Sequence, residues 1–272
     1  MTTAGIGFAR PLEFLKVRQL SVEDFKEAFR AGVSDFMKKP LLSGLFGLIY
    51  AIGGLFIVYG LIIAGQPWMI IPVTIGFPLI APFVAAGLYE MSRRYKLGQS
   101  FTSGDIFSVV LRQRGREMGW MAFVVLFIFW VWIYQIRLWV AIFFGTRPFS
   151  SVEGLVDAVL HTGNGMMFIV VGSVVGTFLA TILFTFTVTA MPVLMDREID
   201  FVSAMLLSLK TVTSNLPLIL VWGAFIGTLL LIAMLPAFLG LIVVLPILGH
   251  ATWHLYERTI EDTSAAAAGE TA

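Results

Sequence analysis

Charged side chains are scarce in this chain. Of its 272 residues, 13% are Asp, Glu, Lys or Arg and 58% are hydrophobic, whereas soluble domains average roughly 25% and 45–50%. The mean hydropathy is +0.91. Residues 41–89 contain no Asp, Glu, Lys, Arg or His, although about 20 apolar residues are enough to cross a bilayer. The composition therefore excludes a soluble globular protein and predicts an integral membrane protein embedded in the lipid bilayer.

Cysteine is absent, and histidine occurs only at His161, His250 and His254. The lack of cysteine excludes disulfides, thiolate nucleophiles and iron–sulfur clusters. A net charge of +1 provides no basic field for nucleic acid. The sequence shows no nucleophile–base arrangement, no phosphate-binding glycine loop and no pair of catalytic carboxylates. We therefore expect a protein that is not an enzyme, carries no cofactor and binds no nucleic acid.

The apolar runs predict an all-α, polytopic membrane protein with six transmembrane helices plus cytoplasmic interfacial amphipathic helices. The expected spans are 41–65, 68–90, 120–144, 166–191, 216–234 and 237–256. One helix over 216–256 would be ~60 Å long, about twice the hydrocarbon core, so a hairpin at Leu235-Pro236 is predicted to divide it. Residues 1–40 form the expected cytoplasmic N-terminal segment, 41–256 the membrane domain, and 257–272 a mostly disordered cytoplasmic tail.

The distribution of Lys and Arg predicts the orientation. Sixteen of them fall in segments that the six spans place on one side, whereas the other side has only Arg147. Cytoplasmic segments of membrane proteins are enriched in Lys and Arg. We therefore expect a multi-pass protein of the bacterial inner membrane with both termini in the cytoplasm.

Three cytoplasmic segments resemble one another: 21–36, 103–112 and 198–212. Each begins with acidic residues, which suit the start of a helix, and continues with a Phe (Phe25, Phe107 or Phe201) and apolar residues at helical spacing. Ser21 and Asp24 resemble a capping box. Each segment precedes two spans, so the chain is interpreted as three units of an amphipathic helix and a membrane hairpin, with the apolar helix face in lipid.

His250 and His254 are the candidate metal ligands. Their spacing of four places both rings on one helix face, an arrangement that can bind a metal. His161 is predicted on the opposite side of the membrane and cannot complete such a site. We therefore favour a polar helix end at the level of the lipid headgroups, with no bound metal.

Arg137 is the charged residue that lies deepest within a predicted span, with Gln135 beside it. Intramembrane charges are costly and are functional candidates by default. We expect Arg137 to extend outward and to anchor the span by meeting Glu153 or Asp157. Contact with a transported anion is the alternative.

The fourth and second spans carry two further patterns. In the fourth, small residues recur every four positions, as do threonines alongside them: Gly172, Gly176 and Ala180, then Thr177, Thr181, Thr185 and Thr189. The small face predicts close helix packing, and the threonines are expected to bond carbonyls or neighbouring helices; a polar path is the alternative. The second span is interrupted by Pro72, Pro78 and Pro82, which form either a substrate site or ordinary kinks.

The sequence resembles a family of bacterial predicted integral membrane proteins with a domain of unknown function, DUF2189. The resemblance rests on residues 17–25 (VRQLSVEDF) and 32–36 (GVSDF), the entry to span one at Pro40, and residues 87–94 (GLYEMSRR). It implies membrane helices over roughly residues 15–260 and no agreed activity. Some members are labelled putative cytochrome c oxidase subunits, but three histidines are too few for an oxidase core.

These observations favour a non-enzymatic accessory, assembly or membrane-organising component without a cofactor. Its partners would be lipid and other membrane subunits, such as those of a respiratory complex. The alternative is a small-solute transporter or channel that uses the Pro-broken second span, the threonine stripe and Arg137.

Overall fold

A computed structural model describes residues 15–113, 117–145 and 149–263. Two short strands, β1 (Leu15–Val17) and β2 (Ile260–Asp262), flank a helical chain. The α-helices are α1 (Val22–Lys38), α2 (Pro40–Ile63), α3 (Ile70–Gly76), α4 (Pro82–Lys96), α5 (Ser103–Gln113), α6 (Glu117–Phe144), α7 (Val152–His161), α8 (Gly163–Thr187), α9 (Ala190–Asp196), α10 (Phe201–Ser214), α11 (Leu216–Met234) and α12 (Leu241–Thr259). Short 3₁₀ turns at Pro67–Met69 and Phe77–Ile80 flank α3.

The predicted all-α membrane architecture is confirmed. Within the described ranges, five helical stretches are long and apolar enough to cross a membrane: Pro40–Ile63, Pro67–Lys96, Glu117–Phe144, Gly163–Asp196 and Leu216–Met234. The sixth predicted span corresponds to α12, which is as long as α11 but carries His250, His254, Glu257 and Arg258. Most of α12 is buried inside the protein, so polar side chains are tolerated there. The count of six spans stays a prediction.

The order of the elements repeats three times. Each of α1, α5 and α10 precedes a pair of long helices: α2 and α3–α4, α6 and α8–α9, and α11 and α12. The packing follows the same order, because α5 packs on α4, α10 packs on α8 and α9, and α1 packs on α12. Each short helix thus contacts the second helix of the preceding hairpin. The contact between α1 and α12 closes the three units into a ring.

Side-chain caps begin all three short helices. Ser21 and Asp24 form the reciprocal capping box that the sequence predicts for α1. In α5, the backbone N–H of Thr102 donates to Asp105 at 2.7 Å and the N–H of Asp105 donates to the Thr102 hydroxyl at 3.3 Å. In α10, Asp200 accepts from the N–H of Ser203 at 2.9 Å. These caps satisfy backbone donors that a helix start leaves unpaired.

The prediction that α1 turns its apolar face to lipid is wrong. Phe25 contacts Trp222 of α11, with ring centroids 5.5 Å apart, and Phe29 contacts Phe225 at the same distance. Gly32 lies so close to α12 that an added Cβ would be 2.6 Å from the backbone nitrogen of Ala251. The face is apolar because it packs against two helices of the same chain, a contact that amphipathic spacing alone does not reveal.

The second helix of each hairpin contains either a break or an internal proline. The second span breaks into α3 and α4 around Pro78 and Pro82, and α12 contains Pro246. Between α8 and α9, the hydroxyl of Ser208 donates to the carbonyl of Thr185 at 2.6 Å and accepts from the N–H of Thr189 at 3.1 Å. The side chain is therefore inserted into a helical hydrogen bond, a recognised cause of kinks.

The two ends of the described chain meet. β1 pairs antiparallel with β2, with Lys16 opposite Glu261, and the N–H of Arg18 donates to the carbonyl of Thr259 at 2.8 Å. Residues 257–262, at the start of the predicted C-terminal segment, form the end of α12 and a paired strand. Residues 264–272 of that predicted tail, and Arg147, lie outside the described residues.

Candidate functional site

A cavity of about 1010 Å³ lies among the apolar helices. Its wall is built from α3 and α4, α6, α8, α11 and α12, with α7 across one end, and none of the described residues that line it is charged. Several lining residues are exposed at its rim, including Ile75 (47%), Leu160 (61%) and Leu231 (41%). Ile75 and Leu231 belong to helical stretches long and apolar enough to cross a membrane, whereas Leu160 belongs to the short helix α7.

The small-residue face of α8 lines this cavity instead of packing on another helix throughout. Gly176 is buried, and an added Cβ there would lie 2.8 Å from the ring of Trp132, so close packing holds at this position. An added Cβ at Gly172 would meet no atom within 4 Å, and Ala180 also lines the cavity. The predicted packing face is therefore wrong at Gly172, where the wall of the cavity is open.

The threonine stripe divides into two parts. Thr177 and Thr181 line the cavity, and their hydroxyls make no hydrogen bond to any described residue. Thr185 and Thr189 lie beyond it, at the helix break where Ser208 inserts. The expectation that these hydroxyls bond carbonyls or neighbouring helices is therefore wrong for Thr177 and Thr181, and the contacts of Thr185 and Thr189 with Ser208 are made by their backbone groups.

The proline-broken span forms another wall, with Pro72, Pro78 and Pro82 at the cavity surface. The carbonyls of Thr74 and Pro78, which lie four residues before Pro78 and Pro82, accept instead from the N–H groups of Phe77 and Ala81. Neighbouring helices bond two further carbonyls of this span. The hydroxyl of Tyr50 donates to the carbonyl of Phe77, and the indole N–H of Trp132 donates to the carbonyl of Pro72 at 3.1 Å. The kinks thus shape the cavity without leaving these two carbonyls unpaired.

Gln135 and Arg137 lie on different faces of α6. Gln135 lines the cavity and accepts from the indole N–H of Trp139 at 2.6 Å. Arg137 is exposed, does not line the cavity, and forms no ion pair with a described residue. The predicted contact with Glu153 or Asp157 is therefore wrong; Asp157 instead approaches His161, with O and N 3.0 Å apart.

A second group of polar side chains, the α1–α12 polar cluster, lies at the end of the bundle nearer β1 and β2. Its members are Asp35, Lys38, Ser43, Ser92, Lys96, His250, His254 and Glu257. The Nε2 and Nδ1 atoms of His250 lie 3.1 Å from the Ser43 hydroxyl and 2.8 Å from the Ser92 hydroxyl. Ser92 donates to Asp35 at 2.8 Å. These bonds join α1, α2, α4 and α12 through one buried histidine.

The carboxylate of Asp35 is the centre of the cluster. It accepts from the ammonium of Lys38 at 2.6 Å and lies 2.7 Å from Nε2 of His254. Burial by itself would raise the pKa of Asp35, but the hydrogen bonds from His254, Lys38 and Ser92 outweigh that effect and lower the pKa to about 2. Asp35 is therefore an anion at neutral pH, held between α1 and α12.

The ring nitrogens of both candidate metal ligands face protein partners. Nδ1 of His254 lies 3.3 Å from Glu257, so both of its nitrogens face carboxylates and an imidazolium satisfies both. His250 lies between two serine hydroxyls and is completely buried. In the described part of the chain, no three or more His, Cys, Asp and Glu side chains are grouped as metal ligands would be.

Sequence reasoning missed a signal at the ends of the three second helices. Leu88-Tyr89-Glu90 in α4, Leu194-Met195-Asp196 in α9 and Leu255-Tyr256-Glu257 in α12 all lie within about the last three turns of these helices. The hydroxyl of Tyr256 donates to Asp196 at 2.8 Å, and the ammonium of Lys96 lies 2.9 Å from Glu257. These contacts link the three helix ends. The repeated Leu–aromatic or Met–acid pattern was visible in the sequence and would have located this junction.

Most side chains of residues 87–94 are buried or bonded within the protein, so this segment contributes to the packing of the helices. Glu90 is 1% exposed and accepts from Arg93 at 2.7 and 3.0 Å and from Arg94 at 2.6 Å. Leu88 and Met91 are fully buried. Tyr89 lines the cavity. Each side chain of this short motif thus has a defined environment.

Comparison with known proteins supports the resemblance carried by this motif. The chain matches the DUF2189 family. The family model, described as a predicted integral membrane protein, covers residues 70–196. This range includes 87–94 but not 17–25 or 32–36, so the match is narrower than the expected 15–260. No curated protein and no solved structure matches the chain. The DUF2189 description names neither an activity nor a partner.

Proposed function

We propose that this protein is a non-enzymatic, membrane-organising component that binds membrane lipid in its cavity. The observation that carries the proposal is the cavity of about 1010 Å³ among helices apolar enough to span a bilayer. Its volume is at the upper end of ordinary ligand pockets, about 300–1,000 Å³. Its uncharged lining suits hydrocarbon, and its exposed rim gives access from the bilayer.

The polar cluster supports the non-enzymatic and cofactor-free parts of the proposal. Ser43 and His250, with O and N 3.1 Å apart, are within the reach of a nucleophile and its base. Both residues are 0% exposed, so no substrate reaches them. Because the ring nitrogens already face hydroxyls or carboxylates, the cluster fits a role in holding α1 against α12.

We also propose six spans with both termini in the cytoplasm of a bacterial inner membrane. The pairing of β1 with β2 places the two ends of the described chain together, which requires an even number of crossings. Five apolar stretches are long enough to cross, so α12 supplies the sixth. The excess of Lys and Arg on the side of the termini supports a cytoplasmic location.

Lipid analysis of the purified protein tests the binding. The protein is extracted in mild detergent, and retained lipid is measured by native mass spectrometry. Gly172→Leu is expected to lower the retained lipid because it fills the cavity at a position with open space. Gly53→Leu is the matched control, since Gly53 also has open space but lies in α2, outside the cavity lining. The same amount of retained lipid in the wild-type chain, Gly172→Leu and Gly53→Leu would overturn the proposal.

The same preparation addresses partners. As an accessory or assembly component, the protein is expected to copurify with other membrane subunits, such as those of a respiratory complex. Mass spectrometry of the mild-detergent extract would identify them. A protein that is recovered alone, with a stability that depends on an added solute, would argue against this role.

A small-solute transporter is the second candidate. The observation in its favour is that Pro72, Pro78, Pro82, Thr177 and Thr181 line one cavity. A flux of small solute across the membrane of proteoliposomes would support transport if Gly172→Leu abolishes it and Gly53→Leu leaves it unchanged. Arg137 lies outside the cavity lining, so Arg137→Leu is expected to leave such flux unchanged.

A further inference from the structure

Tyr89 is a buried tyrosine whose hydroxyl has no partner among the residues that the structure describes. It is 4% exposed, lines the cavity, and makes no hydrogen bond to any described residue. Two other buried tyrosines differ in this respect: Tyr50 donates to the carbonyl of Phe77, and Tyr256 donates to Asp196. The Tyr89 hydroxyl oxygen is not among the fully buried, unpaired side-chain atoms of the described residues, so it is accessible from the cavity that Tyr89 lines. An accessible hydroxyl with no partner among the described residues can donate to an acceptor that belongs to a ligand in the cavity.

Two threonines accompany Tyr89 at this end of the cavity. Thr187 of α8 and Thr252 of α12 also line it. Their hydroxyls already donate to the carbonyls of Leu183 and Leu248, both at 2.8 Å. A hydroxyl has one proton, so of these three groups only Tyr89 can donate to a ligand. The arrangement therefore fits a ligand group that accepts a hydrogen bond from Tyr89.

The level of Tyr89 in the membrane narrows the choice of acceptor. It directly precedes Glu90, and Arg93 and Arg94 follow within about 8 Å along the helix. Charged side chains of this kind lie where the hydrocarbon core ends. In a glycerolipid, the ester carbonyls lie at the same boundary, between the charged headgroup and the acyl chains. An ester carbonyl accepts hydrogen bonds and carries no proton.

The rest of the cavity suits the attached hydrocarbon. The cavity-lining face of α8 extends from Phe168 to Val188, about 30 Å at 1.5 Å per residue, which is the thickness of the hydrocarbon core. No charged side chain lines the described wall, so a headgroup would remain outside it. A molecule with one neutral acceptor near its end and a long apolar chain matches these features.

We infer that Tyr89 binds the ester carbonyl of a diacyl lipid whose acyl chain lies along α8 in the cavity. This inference rests on the proposed lipid-binding function. It adds the protein group, the Tyr89 hydroxyl, that selects among lipids. The carbonyl oxygen of an ester-linked lipid accepts this hydrogen bond from the Tyr89 hydroxyl, whereas an ether-linked lipid of the same headgroup and chain length has no carbonyl. Tyr89 thus makes the site selective for ester lipids.

Competition between two synthetic lipids tests the inference. Delipidated protein in detergent is titrated with diacyl phosphatidylglycerol and with its dialkyl ether analogue, and bound lipid is counted by native mass spectrometry. The wild-type chain is expected to prefer the ester by about threefold to tenfold, the range given by one neutral hydrogen bond. Tyr89→Phe is expected to bind both lipids equally.

Tyr50→Phe is the matched control because it also removes a buried tyrosine hydroxyl, but one that has a protein partner. It is expected to keep the ester preference even if its stability falls. Equal binding of ester and ether lipids by the wild-type chain would overturn the inference while leaving lipid binding intact, as would an ester preference that survives in Tyr89→Phe. Failure of the wild-type chain to bind either lipid would overturn both proposals.

Discussion

Asp35→Ala is the substitution that most directly tests how α1 is held against α12. Asp35 is 3% exposed and receives hydrogen bonds from Lys38 (2.6 Å), Ser92 (2.8 Å) and His254 (2.7 Å). Alanine removes the acceptor and leaves the imidazolium of His254 beside only one remaining carboxylate, Glu257 at 3.3 Å. The change therefore affects a buried ion pair and not a surface contact.

The expected loss in the free energy of unfolding is about 3 kcal/mol. Removing one partner of a buried ion pair costs roughly 3–5 kcal/mol, because the other charge is left uncompensated. The lower end applies here since Glu257 still faces His254 and since Lys38 can turn toward solvent. Asp35→Asn keeps the shape of the side chain but removes its charge, and its loss is expected to be smaller, about 2 kcal/mol.

Denaturant unfolding in mild detergent, followed by tryptophan fluorescence, measures this loss, and the chain has seven tryptophans. Glu23→Gln is the control on the same helix. Glu23 is exposed and pairs with Lys26 at 3.2 Å and Arg30 at 3.6 Å, and surface pairs contribute at most about 1 kcal/mol. If Asp35→Ala loses no more stability than Glu23→Gln, the polar cluster does not hold α1 in place.

The effect of Asp35 should also depend on pH. Its pKa in the folded protein is lowered from the usual 3.8 to about 2, so its contribution, about 2 kcal/mol, is fully present above the unfolded pKa. It is lost as the pH falls through the folded value. The stability difference between the wild-type chain and Asp35→Ala is therefore expected to be larger at about pH 5 than at about pH 3. It should fall again as the pH rises through the pKa of His254, which burial lowers but the hydrogen bond and charge of Asp35 help to raise above its usual value. A difference that does not change between the two acidic pH values would contradict this account.

Three further outcomes are expected. Gly32→Ala should lower the free energy of unfolding by about 1–3 kcal/mol because its Cβ would lie 2.6 Å from the backbone of α12. The control Gly53→Ala, in open space, should be neutral or stabilising. Equal effects of the two substitutions in denaturant unfolding would argue against close packing of α1. Arg137→Leu should leave assembly and the unfolding midpoint unchanged, and normal assembly with lost flux in proteoliposomes would show that Arg137 acts in transport. The double variant Lys16→Cys, Glu261→Cys should form a disulfide, since the two residues face each other. In this otherwise cysteine-free chain the disulfide is seen as a mass loss of two hydrogens. Free thiols after mild oxidation would contradict the pairing of β1 with β2.

Several elements were predictable because their cause is local. The long uncharged runs identified the membrane helices, since a bilayer imposes both length and apolarity on any segment that crosses it. The start of α1 was visible in Ser21 and Asp24, because a capping box involves residues only three positions apart. The kinks of the second span were visible as prolines, which cannot donate a backbone hydrogen bond.

The environment of each site residue was not predictable in the same way. Gly172 and Gly176 belong to one sequence pattern, but only Gly176 packs against Trp132. His250 and His254 share a helix face with a spacing that suits a metal, but Asp35, Ser43 and Ser92 reach them from three other helices. Helical spacing defines which residues share a face and contains no information about what that face contacts.

The sequence by itself therefore determined the class of protein, the membrane helices and the three-unit order, because these follow from composition, length and local backbone chemistry. Only the tertiary structure decided that α1 packs on α12 and closes the ring, and that α8 and α11 leave a cavity between them. Both depend on contacts between residues far apart in the chain. Such contacts arise from the shapes of whole helices in place, and no local pattern encodes them.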